Sequence, residues 1–289
     1  MKKLKILLTL SIISLILFSC NNKEIETTTD NQKEMTSISN YNPGDNWTLA
    51  WSDEFDGEEI NADIWNYQVE EAGRFNEEWQ RYTNSKENAY VENSCLVIKA
   101  IHESDKYGIN QYTSARMNTA NKYAFKYGKI AARVKLPEGK GIWPAFWMLG
   151  NNIDENGGDT PWPQTGEIDI FELYGTKNDS IVEANAHYAD SSDSHSMMGA
   201  ASYKLKGGKF SDDFHVFELE WNEESLKWLV DGEEYASMSI LEEEFSEFQK
   251  AFFILFNIAV GGTHAGRPDD TTVFPQYMHI DWVRVYEKM

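Results

Sequence analysis

Apolar and polar residues alternate with a period of two through much of this chain. The pattern is clearest over residues 127–135, 217–221, 226–230 and 280–286, each of which predicts a half-buried β-strand. Asp231-Gly232 supplies a hairpin turn between 226–230 and 233–236. Residues 241–250 fit either a helical turn or, given their run of Glu, a charged surface loop. Many short strands with few helices predict an all-β sandwich.

One stretch departs from simple alternation. In Gly166-Glu-Ile-Asp-Ile-Phe-Glu172, Glu167 and Asp169 share a strand face while Ile168 and Ile170 take the other. Glu172 has the wrong parity. It rejoins the first two carboxylates only if a β-bulge near Ile170-Phe171 absorbs one extra residue. Three acids would then crowd one patch, and like charges held close keep at least one carboxyl protonated near neutral pH. The alternatives are an exposed acidic strand face or a cation site.

Two further runs carry candidate binding chemistry. Gly141-Ile-Trp-Pro-Ala-Phe-Trp-Met-Leu-Gly150 puts Trp143, Ala145 and Trp147 on one face, where paired indoles suit the apolar faces of sugar rings or ordinary core packing. In residues 76–83, Asn76, Glu78, Gln80 and Tyr82 face one way and Trp79 the other. That parity predicts Trp79 in the core, with the polar face bonding hydroxyls or water.

Composition narrows the classes. The chain has 289 residues, 41% of them hydrophobic, and a net charge of −21, which disfavours a nucleic-acid partner and strongly anionic substrates. Met1-Lys-Lys-Leu-Lys5 followed by an apolar run to Phe18 reads as a signal peptide over residues 1–19. Leu17-Phe-Ser-Cys20 resembles the bacterial lipobox, so Cys20 is expected to be lipidated and to anchor the chain in the cell envelope without spanning the bilayer. Residues 20–45 are polar enough for a flexible tether, and 46–289 form one expected domain. Cys95 is then left without a disulfide partner and is expected to be an inert thiol. The six His are scattered, including His187, His195, His215 and His264, and no HExxH, CxxC, P-loop or G-x-S-x-G occurs.

Glu167-Ile-Asp-Ile-Phe-Glu172 together with Trp143-Pro-Ala-Phe-Trp147 resembles glycoside hydrolase family 16, in its laminarinase-like members with a bulged E-x-D-x-x-E strand. Residues 51–57, 112–116, 252–262 and 278–286 extend the resemblance over nearly the whole domain. It implies a concanavalin-like β-jelly-roll of two antiparallel sheets with a concave cleft, acting as a retaining endo-hydrolase on β-1,3- or mixed β-1,3/1,4-glucan. By it, Glu167 is the nucleophile, Glu172 the acid/base and Asp169 their positioning neighbour. Trp143, Trp147, Asn76, Glu78 and Arg116 match cleft positions. The chain is expected to be a monomer that requires no cofactor, and the resemblance suggests a structural calcium for which Glu54 and Asp281 are candidate ligands. Agarases, porphyranases, carrageenases and transglycosylases share the acids and stay open, as does a non-catalytic glycan-binding lipoprotein. Two positions depart from the family pattern: His264 stands where many relatives have a loop Trp, and Ser94 where Gly is usual.

Overall fold

The computed structural model describes residues 41–104, 110–176 and 178–289. The signal peptide assigned to 1–19, the lipidation assigned to Cys20 and the tether as far as residue 40 lie outside the described residues. Asp45–Met289 forms one compact unit.

The alternating runs become the strands Gly128–Lys135, His215–Trp221, Ser225–Val230 and Gln276–Lys288, neighbours in a ten-stranded sheet. Burial along Ser225–Val230 alternates residue by residue, as a period-two sequence requires. Asp231 and Gly232 both take positive φ, 51° and 78°, and turn the chain into Glu233–Ser239. Residues 241–250 hold a 3₁₀ segment, Glu243–Gln249, broken at Phe245.

A seven-stranded antiparallel sheet lies against the first. Its order is His195–Lys204, Ile181–Ala189, Glu167–Glu172, Ile142–Gly150, Phe252–Val260, Arg116–Asn118, Asn66–Tyr67. Every residue of Ile142–Gly150 and Phe252–Val260 is buried, which explains why these strands read as continuous apolar runs. Ile142, Phe146, Met148, Ile254 and Phe256 pack into the core between the sheets. Ala145, Trp147, Leu149, Phe253 and Leu255 form a second apolar layer on the opposite face. Phe171 meets Phe217 of the other sheet with ring centroids 4.3 Å apart.

The expectation for residues 76–83 is inverted. Trp79 is 36% exposed, whereas Glu78, Gln80 and Tyr82 are buried. The reason is that the polar face satisfies itself. Gln80 Nε2 and Tyr82 Oη donate to Glu78 Oε2 at 2.6 and 3.2 Å, and Asn257 Nδ2 donates to the Tyr82 hydroxyl at 3.1 Å. A bonded network of this kind can enter the interior without a desolvation penalty for orphaned groups. Trp79 lies instead over Gly261, where a Cβ would stand 2.8 Å from the indole.

Candidate active site

The bulge forms where parity demands it. Opposite Asp169 and Glu172 stand Asn185 and Glu183, so three steps along one strand face two along its partner. On the other edge the shift falls between Asp169 and Phe171, which pair with Trp147 and Phe146. Ile168, Ile170 and Phe171 all enter the inter-sheet core, and the two consecutive inward residues return Glu172 to the face of Glu167 and Asp169. From the opposite sheet, Trp228 Nε1 donates to the Asp169 carbonyl at 2.9 Å and fixes the kink.

The three carboxylates line one cleft of about 640 Å³. Trp162 Nε1 donates to Glu167 Oε2 at 3.2 Å, and His187 Nε2 lies 3.7 Å from Glu167 Oε1. The same nitrogen is 3.1 Å from Asp169 Oδ2. Glu172 accepts from Trp143 Nε1 at 2.8 Å through Oε1. Its Oε2 accepts from the Tyr174 hydroxyl at 2.6 Å and from Asn185 Nδ2 at 2.9 Å.

Burial pushes all three carboxyls above their ordinary range. Asp169 is raised most, by desolvation and then by the charges of Glu172 and Glu167. Glu167 is the one with two cations opposing its burial, His187 and Arg116. Glu172 is raised by burial and by the Glu167 charge, while the Tyr174 and Trp143 hydrogen bonds oppose the rise. At His187 burial works against the charged ring, but the bond to Asp169 and the nearby carboxylates outweigh it and lift the imidazole to about 9. The four groups share one field, in which the cations His187 and Arg116 beside Glu167 draw negative charge to that carboxylate and its charge in turn raises Glu172.

Oxygen and nitrogen atoms of Glu167, Asp169 and His187 come within 4.8 Å of one another, the spacing of a metal site. The three groups already satisfy one another, with His187 Nε2 between Asp169 Oδ2 at 3.1 Å and Glu167 Oε1 at 3.7 Å, so the imidazole supplies the positive charge a cation would bring. Glu54 and Asp281 do not fit calcium either. Arg284 holds both oxygens of Glu54 at 2.9 and 2.7 Å, and Arg133 bonds Asp281 at 2.9 Å. Guanidinium groups already supply the positive charge a calcium ion would bring.

All five expected binding residues line the cleft. Trp143 and Trp147 are only 6% and 8% exposed, so they act as walls fixed by their N–H groups, Trp147 donating to Asn257 Oδ1 at 2.7 Å. The Arg116 guanidinium covers Trp147 and Phe75, each at 4.5 Å from the ring centroid, and its Nε donates to Gln68. Asn76 adopts φ 47° in a turn and donates to Glu78 Oε1 at 3.2 Å. His264 sits in the short helix Gly262–Ala265, edge-on to Trp143 at 5.3 Å and beside Tyr174 at 5.7 Å. Ser94 takes φ 56°, the conformation for which glycine is usually chosen. Cys95 is buried, and burial pushes its thiol up to about 12.

The sequence pattern does not single out Trp162, Tyr174, Asn185 or His187 as members of the site. A signal exists for two of them: Glu183, Asn185 and His187 recur at every second position among the apolar residues of Ile181–Ala189. That period marks a polar strand face, and the cross-strand register is what sets it beside the acids.

The family model of the glycosyl hydrolases family 16 matches residues 74–284. The glucan endo-1,3-beta-glucosidase of Cryptopygus antarcticus is 39% identical over 76% of this chain and 83% of its own. Glucan endo-1,3-beta-glucosidase A1 of Niallia circulans is 34% identical over 83% of this chain, which spans only 38% of that longer protein. The laminarinase catalytic domain from Thermotoga maritima superposes with a TM-score of 0.73 at 45% identity, covering 84% of this chain and 99% of that domain. Similarity of that extent, over a strand bulged where its acids require it, shows that the chain belongs to family 16 of the glycosyl hydrolases.

Proposed function

We propose that this chain is a retaining endo-β-1,3-glucanase of the laminarinase type. One observation carries the reading: the bulge sets Glu167 and Glu172 on the same face of one cleft, in contrasting environments. A straight strand would separate their Cα atoms by about 16 Å, whereas a retaining pair needs carboxyl groups about 5–5.5 Å apart. The kinked strand brings both side chains to one wall, close enough for the Glu167 charge to help hold the Glu172 carboxyl above its ordinary range.

In the first step Glu167 attacks the anomeric carbon while Glu172 protonates the departing glycosidic oxygen. Glu172, now ionised, is stabilised by the three donors Trp143, Tyr174 and Asn185. It then takes a proton from the water that releases the sugar from Glu167. The His187 imidazolium, itself held by Asp169, lies beside Glu167 and offsets its charge. No cofactor enters these steps. The named activities of the Cryptopygus, Niallia and Thermotoga proteins support β-1,3-glucan as the substrate.

The reading extends to location: a monomeric domain exported by residues 1–19, anchored in the bacterial cell envelope through a lipid on Cys20, and spaced from the membrane by the tether. The lipobox-like Leu17-Phe-Ser-Cys20 supports it, and palmitate labelling lost in Cys20→Ala tests it.

The purified protein, incubated with laminarin, lichenan, agarose and carrageenan, should release a ladder of oligosaccharides from laminarin. Activity confined to the galactans, or binding of laminarin without cleavage, would overturn the assignment.

A further inference from the structure

His195 is exposed and lies outside the carboxylate trio, yet it closes a ring of side chains around Glu167. Its Nε2 is 2.9 Å from His187 Nδ1, with the two imidazoles stacked at 5.1 Å and 24°. On its other side it meets the Trp162 indole at 4.5 Å. Trp162 Nε1 donates to one oxygen of Glu167, and His187 Nε2 approaches the other. The circuit therefore runs from Glu167 through Trp162, His195 and His187 back to Glu167, with Asp169 bonded at the His187 corner.

Proton placement gives the ring a direction. His187 Nε2 lies beside oxygens of both Glu167 and Asp169, and the ionised Glu167 can only accept, so that nitrogen carries a proton. Lifted to about 9, His187 is an imidazolium near neutral pH and its Nδ1 carries a proton as well. His195 Nε2 must then be the acceptor, which requires its ring to be neutral. Burial and the His187 charge both push His195 below its ordinary value and keep it so. The register explains why this residue can reach: His195 pairs with Ala189 at the start of the neighbouring strand, two residues beyond His187.

We infer that His195 is a positioning residue for the nucleophile, accepting the His187 Nδ1 proton and bracing Trp162 so that both oxygens of Glu167 are held against the anomeric carbon. It touches neither the reacting atoms nor the acid/base. Its contribution belongs to the rate of glycosyl-enzyme formation and not to substrate binding. The inference rests on the hydrolase reading above, which the wild-type protein tests separately.

The test compares His195→Phe with His195→Gln in the full chain on laminarin. Phe keeps a ring against Trp162 but cannot accept a proton, whereas Gln places an amide oxygen near the Nε2 position. Losing one hydrogen bond to a charged partner lowers kcat by about tenfold in His195→Phe, with KM within about twofold, and His195→Gln recovers most of the rate. Wild-type rates in both variants overturn the inference, as does equal loss in both or a loss confined to KM. An inactive wild-type protein would instead refute the hydrolase assignment.

Discussion

Replacing Tyr174 by Phe changes one bond at the acid/base and little else. The hydroxyl donates to Glu172 Oε2 at 2.6 Å inside the protein. Burial and the Glu172 charge push the phenol upward, so it remains a donor throughout the working range. A hydrogen bond to a charged group contributes about 1.5–3 kcal/mol. Asn185 serves the same oxygen, which places the loss near the lower bound. At about 1.4 kcal/mol per pKa unit, removing the donor destabilises ionised Glu172 enough to raise its pKa by about one unit. The ring itself keeps its packing against Trp143 and His264. The assay is kcat/KM on laminarin across the pH range, where the alkaline limb reports deprotonation of the acid in the free enzyme. That limb should move up by about one unit, leaving the variant relatively more active than wild type on the alkaline side. An alkaline limb that stays put, or moves down, would refute Glu172 as the acid stabilised by these donors.

Four other outcomes follow from the same geometry. Glu167→Gln and Glu172→Gln should each abolish turnover of laminarin with an unchanged circular dichroism spectrum, and a fully active Glu167→Gln would dismiss it as nucleophile. Gly166→Ala places a Cβ 2.9 Å from Glu247 Cβ at a backbone φ of 80°; strain and overpacking together should cost about 2–4 kcal/mol, read as a melting temperature lower by about 5–15 °C. Trp228→Phe leaves the Asp169 carbonyl without its donor and should destabilise by about 1–3 kcal/mol in urea unfolding, with kcat falling although no cleft residue changes. His187, raised to about 9 in the fold, contributes stability that is fully present below pH 6.5 and lost as pH rises through 9; the difference is about 3 kcal/mol, and His187→Gln should flatten that slope in unfolding midpoints.

The catalytic strand was legible because two periodic rules conflict inside it. Alternation assigns Glu167 and Asp169 to one face, parity denies it to Glu172, and a bulge is the only local repair; the structure makes that repair between Asp169 and Phe171. Trp143 and Trp147 were legible for a similar reason, as same-parity residues of a strand buried on both faces. Trp79 was misread because parity alone cannot weigh a polar network that bonds itself. Once Glu78, Gln80, Tyr82 and Asn257 satisfy one another, burying them is no longer unfavourable. Glu54 and Asp281 fail for a different reason: Arg133 and Arg284 reach them from neighbouring strand positions that sequence order does not reveal. His187, Asn185 and Trp162 depend on cross-strand register and on a loop, so only the folded chain brings them to the acids.

The central claim is that the bulge turns Glu167 and Glu172 into a double-displacement pair. Proton NMR of laminarin cleavage, recorded before the new reducing ends mutarotate, tests it most directly. The account predicts that the β-anomer appears first and the α-anomer only later, by mutarotation. Initial release of the α-anomer would mean direct attack by water, and would contradict the roles assigned to both residues.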